Sequence, residues 1–297
     1  MEKAKVYYTK NITSESLIKI YESLGVKLTG KIGIKVSTGE AGSKGYLKSD
    51  IIAPLVKMLN GTIIECNTAY NGKRENTEEH LKVAKEHGFM DFAEVDIMDS
   101  EGEMKIPVNN GKHLKYNLVG THLSNYDAMV NLAHGKGHAM GGFGANLKNQ
   151  SIGVASRNGK AYIHSAGFTT NPKEAWANLP KQKDFIESMA ESAKSVTDYF
   201  RENNKPICYI TIMNFLSVDC DCDKNQTNPV MTDLGIVASL DPVANDQAFI
   251  DMIWQSQEAG AKLLKERIDS REGRHILPYA ESIGLGSRKY ELIDIDK

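Results

Sequence analysis

Short apolar runs, each followed by a polar, glycine-bearing stretch and then by apolar residues at helical spacing, recur through the first ninety residues. Residues 4–8 and 31–37 (KIGIKVS) carry the β-branched alternation of strands. Between them Leu17, Ile18, Ile20, Tyr21 and Leu24 fall on one helical face behind Thr13 or Ser14 as cap, and Gly25 closes the helix. The pattern then predicts a helix over 51–59 capped by Asp50, a strand over 62–66, and a helix from Thr77 to His87 closed by Gly88. Strand, loop and helix in this rhythm predict βαβ crossovers. The expected fold is α/β, a mostly parallel or mixed sheet with helices on both faces. In such sheets functional side chains gather at the carboxyl ends of strands, where Thr38, Gly39 and Glu40 and then Asn67, Thr68 and Tyr70 fall.

Residues 104–120 break the rhythm with a β-hairpin about Asn109-Asn110-Gly111. Two further short strands, 151–157 and 160–164, are expected about Asn158-Gly159. A helix over 185–200 presents Phe185, Ile186, Met189, Ala193, Val196 and Phe200 on one face. The most hydrophobic strand, 207–218, belongs at the sheet centre, and 233–240 is another. Asp241-Pro242 caps and starts a helix to 257, and a helix over 261–268 precedes a short helix and a last strand. No repeat or change of composition marks a linker, so the expectation is a single α/β domain over 1–297 with the hairpin as an excursion.

The middle of the chain carries the densest chemistry. An apolar run (Ala128, Met129, Val130, Leu132, Ala133) leads into HGKGHAMGGFGANLK, with glycines at Gly135, Gly137, Gly141, Gly142 and Gly144. Glycine lets main-chain amides approach a ligand, and a glycine-rich loop after a strand is where an α/β protein is expected to bind one. The expected site therefore comprises Gly141, Gly142, Gly144 and Asn146 as cofactor-binding groups. His138 and Lys148 are the candidate catalytic residues. Lys148 suits an anionic group, or a covalent adduct if its amine is easily deprotonated. Neither the P-loop nor the G-x-G-x-x-G spacing occurs, so no nucleotide motif is present.

Composition narrows the partners. With 36 Lys and Arg against 38 Asp and Glu, the net charge of −2 favours neither nucleic acid nor anionic lipid. No apolar run reaches the ~20 residues of a membrane helix, and the N-terminal stretch lacks the apolar core of a secretory signal. These features predict a cytoplasmic protein with a small-molecule or anionic ligand, self-associating if it associates. Thiols stay reduced in that compartment. Cys66 and Cys208 then read as buried core residues. Cys220 and Cys222, in VDCDCDKNQ, are expected on an extended chain with both thiols on one face and Asp219, Asp221 and Asp223 on the other. Such a pair offers two soft thiolates to iron, zinc or a small iron–sulfur centre, with His134 and His138 as further ligands and His122 and His164 behind them. Two ligands are too few for a closed site, and a redox dithiol or two unliganded cysteines in a turn remain open readings. Asp246 is a cap-region carboxylate and a minor site candidate.

Three blocks carry a family resemblance. HGKGHAMGGFGANLKNQSIGVASRNGK, DCDCDKNQTNPVMTDLGIVASLDPVANDQA and ECNTAYNGKRENTEEHLKVAKEHGF resemble the domain-of-unknown-function family 362, often labelled as iron–sulfur-centre proteins. The resemblance implies Cys220 and Cys222 as thiolate ligands. Many relatives carry a four-cysteine ferredoxin-like insert after the central segment, but residues 167–183 hold no cysteine, so that cluster does not carry over. GGFGANLK is also similar to the Gly-Gly-x-Lys turn of lactate-racemase-type enzymes, in which histidines and a lysine hold an organometallic cofactor. The combined expectation is a metal-binding redox or cofactor-handling protein. A racemase or isomerase, or a binding module with structural cysteines, is the alternative.

Overall fold

The computed structural model describes residues 3–222 and 228–297; Asp223, expected beside the cysteine pair, lies outside them. Chain order begins β1 (Ala4–Thr9), α1 (Ser14–Ser23), β2 (Ile32–Lys35), α2 (Ser49–Met58), β3 (Thr62–Glu65), α3 (Thr77–Glu86) and β4 (Val95–Ile97). Thr13 caps α1 by accepting the Ser16 N–H, and Asn76 caps α3 through the Glu79 N–H. Asp50 falls inside the first turn of α2, whose N-cap is Lys48. The expected hairpin is β5 (Glu103–Pro107) against β6 (Tyr116–Gly120), antiparallel, with Pro107 opposite Tyr116.

The second half runs β7 (Ala128–His134), β8 (Lys136–His138), β9 (Gly142–Gly144), α4 (Asn146–Ser151), α5 (Arg157–His164), α6 (Pro172–Ala177) and α7 (Gln182–Glu202). It continues with β10 (Ile207–Met213), β11 (Gly235–Ser239), α8 (Pro242–Gln255), α9 (Ala259–Ser270), α10 (Ile276–Ser282) and β12 (Tyr290–Asp294). The two strands expected over 151–157 and 160–164 are instead the last residue of α4, a turn over 152–154, one bridge from Ala155 to Val119, and α5. Ser156 caps α5 by accepting the Gly159 N–H, so Asn158-Gly159 lies inside a helix rather than at a hairpin turn. A Cβ on Gly159 would meet the Leu118 carbonyl oxygen at 2.0 Å. That glycine serves close packing of a helix on β6.

Among the described residues eight strands form one sheet in the order β12-β1-β11-β10-β7-β2-β3-β4. Only β11 runs against the rest. On one face Leu17, Ile20, Ile52 and Leu55 pack on Val130, Ile210 and Ile236; on the other Phe185, Met189, Phe249 and Ile250 pack near Val237 and Met213. Alternate residues of one strand thus feed two cores, as the two-residue period of a strand requires. The fold is α/β, with a mostly parallel, mixed sheet. From β2 the chain steps outward to β3 and β4, then returns to place β7 on the other side of β2 and β10 beyond it. That reversal opens a crevice between β2 and β7 at the carboxyl ends of parallel strands.

Candidate functional site

The crevice is a cleft of about 790 Å³. β2 delivers Lys35 to it, β3 Glu65, and β8 Lys136 and His138. The loops after β2 and β3 supply Glu40, Thr68, Tyr70 and Arg74, while α4 and α5 supply Lys148, Lys160 and His164. Cys220 and Cys222 close one side.

The glycine-rich stretch is not an open loop. It is the antiparallel pair β8–β9, with Lys136 opposite Gly144 and His138 opposite Gly142. Gly137 donates its N–H to the Ser217 carbonyl at 2.8 Å, and a Cβ on Gly137 would meet the Val218 oxygen at 2.3 Å. Absence of that Cβ lets the segment after β10 lie against β8, which brings the cysteines to His138. Gly142 has φ +80° and packs on Gly273 and the Ile268 carbonyl. Gly141 donates its N–H to His138 Nδ1 at 2.9 Å. Gly141, Gly142 and Gly144 therefore sit behind the cleft wall and shape it rather than line it.

Met140 N–H also points at His138 Nδ1, at 3.2 Å. A nitrogen that accepts two N–H groups keeps its lone pair, so the neutral ring carries its proton on Nε2. His164 has the opposite tautomer. Its Nδ1 donates to the Lys160 carbonyl one helical turn back, at 2.7 Å, leaving Nε2 as an acceptor. Burial, reinforced by the charge of Lys148, pushes His138 well below the usual imidazole range, and burial lowers His164 to about 4. Both rings are neutral at pH 7, one a donor and one an acceptor.

The cysteines do not continue the strand. β10 ends at Met213, and Asp219 to Cys222 form a turn in which Cys220 and Cys222 are joined as a disulfide. The expected separation of thiols from aspartates onto opposite faces of an extended chain is thus replaced by a turn. Asp221 points into the protein and Asp219 pairs outward with Arg267 at 2.9 Å. His138, Cys220 and Cys222 have one donor atom each within 4.8 Å of one another, the grouping expected for a metal. His134 stands nearby but is engaged elsewhere, its Nδ1 with Asp221 Oδ1 at 2.8 Å and its Nε2 with the Asn214 carbonyl at 2.7 Å. His122 is remote, paired with Asp96 and Glu101.

Asp221 also accepts from Lys136 Nζ at 2.7 Å. Burial alone would raise its pKa, but His134 and Lys136 hold the carboxyl well below the usual carboxylate range. Glu65 anchors a second buried network. It receives Arg74 Nη1 at 3.2 Å, His80 Nε2 at 2.9 Å and the Thr38 hydroxyl at 2.6 Å, with Lys35 Nζ at 3.8 Å. Burial opposes its ionisation, and the Arg74 and Lys35 charges outweigh that cost. Lys35 is lowered to about 8 by burial against the pull of Glu65, and Lys148 to about 7 by burial and the Lys136 charge.

Asn146 does not line the cleft. Its amide is buried on Thr211 Oγ1 and Asn245 Oδ1 at 2.7 and 2.8 Å, where it fixes α4 to β10 and α8. Asp246 holds the start of α4 by accepting the N–H groups of Asn146 and Leu147, both at 2.9 Å, although burial pushes its carboxyl up to about 7. Cys66 and Cys208 are free and buried, as expected, with Cys66 also reaching the cleft wall. Lys35, Glu65, Arg74 and Lys160 went unrecognised in the sequence. Their common signal is an ionisable residue at or just after a strand end, or on the helix that follows the glycines.

These features define an α/β protein with a cation-lined, switch-point cleft beside a Cys-x-Cys turn. The chain belongs to the family described as Domain of unknown function (DUF362), whose model matches residues 32–251. No curated protein matches it. Solved structures that align with it include the lactate racemase apoprotein from Thermoanaerobacterium thermosaccharolyticum, at 14% identity over 84% of this chain and 57% of that one, with a TM-score of 0.46. A protein from Thermotoga maritima aligns at 11% identity over 87% of this chain and 58% of that one, with a TM-score of 0.40. The chain thus spans under two thirds of the length of either. Among the described residues no helix is long and apolar enough to cross a membrane.

Proposed function

We propose that the chain is a metal- or cofactor-handling redox enzyme that acts on a small anionic molecule in the cytoplasm. The observation that carries this reading is the convergence of His138, Cys220 and Cys222 within 4.8 Å at the wall of the cleft. Lys35, Lys73, Arg74, Lys136, Lys148 and Lys160 line that cleft against Glu40 and Glu65, an excess of positive charge suited to an anion.

The donor set fits a metal under two conditions. Joined sulfurs offer no thiolate, so the pair must first be reduced, as cytoplasmic thiols are. His138 must also give up its two N–H contacts at Nδ1, either to carry its proton there and ligate through Nε2 or to ligate through Nδ1 itself. Two thiolates and one imidazole suit iron or zinc with a coordination position left open. A bound ion there would supply Lewis acidity or, as iron, an electron. The protein's own groups would orient the ligand, with Lys148 meeting its charge and the β8–β9 pair holding His138 in place. Metal analysis of anaerobically purified, reduced protein tests this. Wild type should carry iron or zinc and Cys220→Ser/Cys222→Ser should not; equal content in both defeats the reading.

A second reading rests on the opposite tautomers of His138 and His164. A neutral donor and a neutral acceptor in one cleft suit proton transfer at a carbon, as in a racemase or isomerase. Incorporation of solvent deuterium into a panel of 2-hydroxy acids, and its loss in His164→Gln, separates this from electron transfer.

A further inference from the structure

Of the basic side chains lining the cleft, Lys148 makes no hydrogen bond or ion pair with a described residue, although the Asp221 charge acts on it. The others are engaged: Lys35 with Asn149 and Glu65, Lys136 with Asp221, Lys160 with the Ala155 carbonyl, Arg74 with Glu65 and Lys73 with Glu79. Nor is Lys148 on a loose segment. Asp246 fixes the first turn of α4, and Asn149, next to Lys148, donates to the Lys35 carbonyl at 2.9 Å and to Asn131 Oδ1 at 2.7 Å. An amine held by a rigid helix and left without an acceptor is either an anion-binding point or a nucleophile.

A second group in the cleft favours the nucleophile. His164 lines the same cleft, and the Lys148 charge acts on its ring. Because His164 Nδ1 is spent on the Lys160 carbonyl, Nε2 is left as a proton acceptor. A free amine and a free imidazole lone pair lining one cleft, whose charge attracts carboxylates, are the equipment for condensation with a carbonyl compound.

We propose that Lys148 forms an imine with the carbonyl carbon of a 2-oxo carboxylate bound in this cleft. The nitrogen lone pair forms the C–N bond while the carbonyl π bond opens onto oxygen, and His164 Nε2 takes a proton from the nitrogen. That proton goes to the carbinolamine oxygen, and His164 then carries the second N–H proton to the same oxygen as the C–O bond breaks, so that water leaves while the nitrogen lone pair forms C=N. One carbonyl and one amine give one imine and one water, with no change of oxidation state. The imine, once protonated, withdraws electrons from the adjoining carbon, which is what lysine supplies to carbonyl substrates generally. The reaction uses the cleft as the ligand site but needs no metal, so failure of the metal reading leaves it standing.

Metal-free, full-length protein incubated with pyruvate or glyoxylate and sodium cyanoborohydride, then mapped by peptide mass spectrometry, tests the proposal. The expected result is one reduced adduct per chain, on the peptide containing Lys148 and absent from Lys148→Arg. His164→Gln should slow trapping about tenfold or more, and an unchanged rate removes His164 from the step. An unmodified Lys148 in folded wild-type protein, or adducts spread over surface lysines only, overturns the proposal. Because wild-type mapping decides the matter alone, the outcome does not depend on Lys148→Arg folding.

Discussion

His134 Nδ1 lies 2.8 Å from Asp221 Oδ1, and this buried pair ties the carboxyl end of β7 to the turn that carries both cysteines. The two residues are 87 positions apart. With Lys136 on the other carboxylate oxygen, Asp221 makes the cysteine turn part of the cleft wall. Asp221→Asn should leave Lys136 buried beside a neutral amide and cost about 3–5 kcal/mol, read as a lower midpoint in urea denaturation. An unchanged midpoint would mean that the pair does not hold the turn.

Glu65 gives the expected pH dependence. Its folded pKa is depressed, because the Arg74 and Lys35 charges outweigh the effect of burial. A depressed carboxyl contributes stability that is present above its unfolded value of about 4.3 and is lost as pH falls toward the folded value. Wild type should therefore lose stability steadily below about pH 4.3. Glu65→Gln should be less stable at pH 7 by about 3–5 kcal/mol, with a flatter acid limb. Parallel acid limbs in the two proteins would assign the loss to other carboxylates.

The chemistry of the cysteine turn depends on its redox state. Cobalt(II) added to reduced wild-type protein should produce the near-ultraviolet sulfur-to-metal charge-transfer band of thiolate ligation. Oxidised protein, in which Cys220 and Cys222 are joined, should give none, and neither should Cys220→Ser/Cys222→Ser. The same band in all three samples would place the cobalt elsewhere.

Gly159 tests the helix that replaces the expected hairpin. Alanine has the higher helical propensity, so in an open helix Gly159→Ala would stabilise by up to about 1 kcal/mol. Here the new methyl group meets the Leu118 carbonyl oxygen at 2.0 Å. A destabilisation of about 1–3 kcal/mol is expected, measurable as a fall in thermal midpoint.

The elements of the first ninety residues were legible because their cause is local. A helical face such as Leu17, Ile20 and Tyr21, a cap such as Thr13, or the Asp241-Pro242 start of α8 is encoded within a few residues. Residues 151–164 carry a misleading signal for the same reason. Asn158-Gly159 carries the local signal of a turn, while the reason for that glycine is the carbonyl of Leu118, about forty residues away in the chain. His138, Lys148 and the cysteine pair could be proposed from residue type and spacing. That Asn146 and the three glycines support the wall from behind could not, since the sequence does not say which side of a segment faces a cavity. Lys35 meets Asn149 across 114 residues and Glu65 only because β2 lies between β7 and β3. Residue types and periodicity determined the elements and the stock of chemical groups. Strand order decided which groups meet, because contacts between distant segments depend on how the whole sheet is wound and on no single stretch of it.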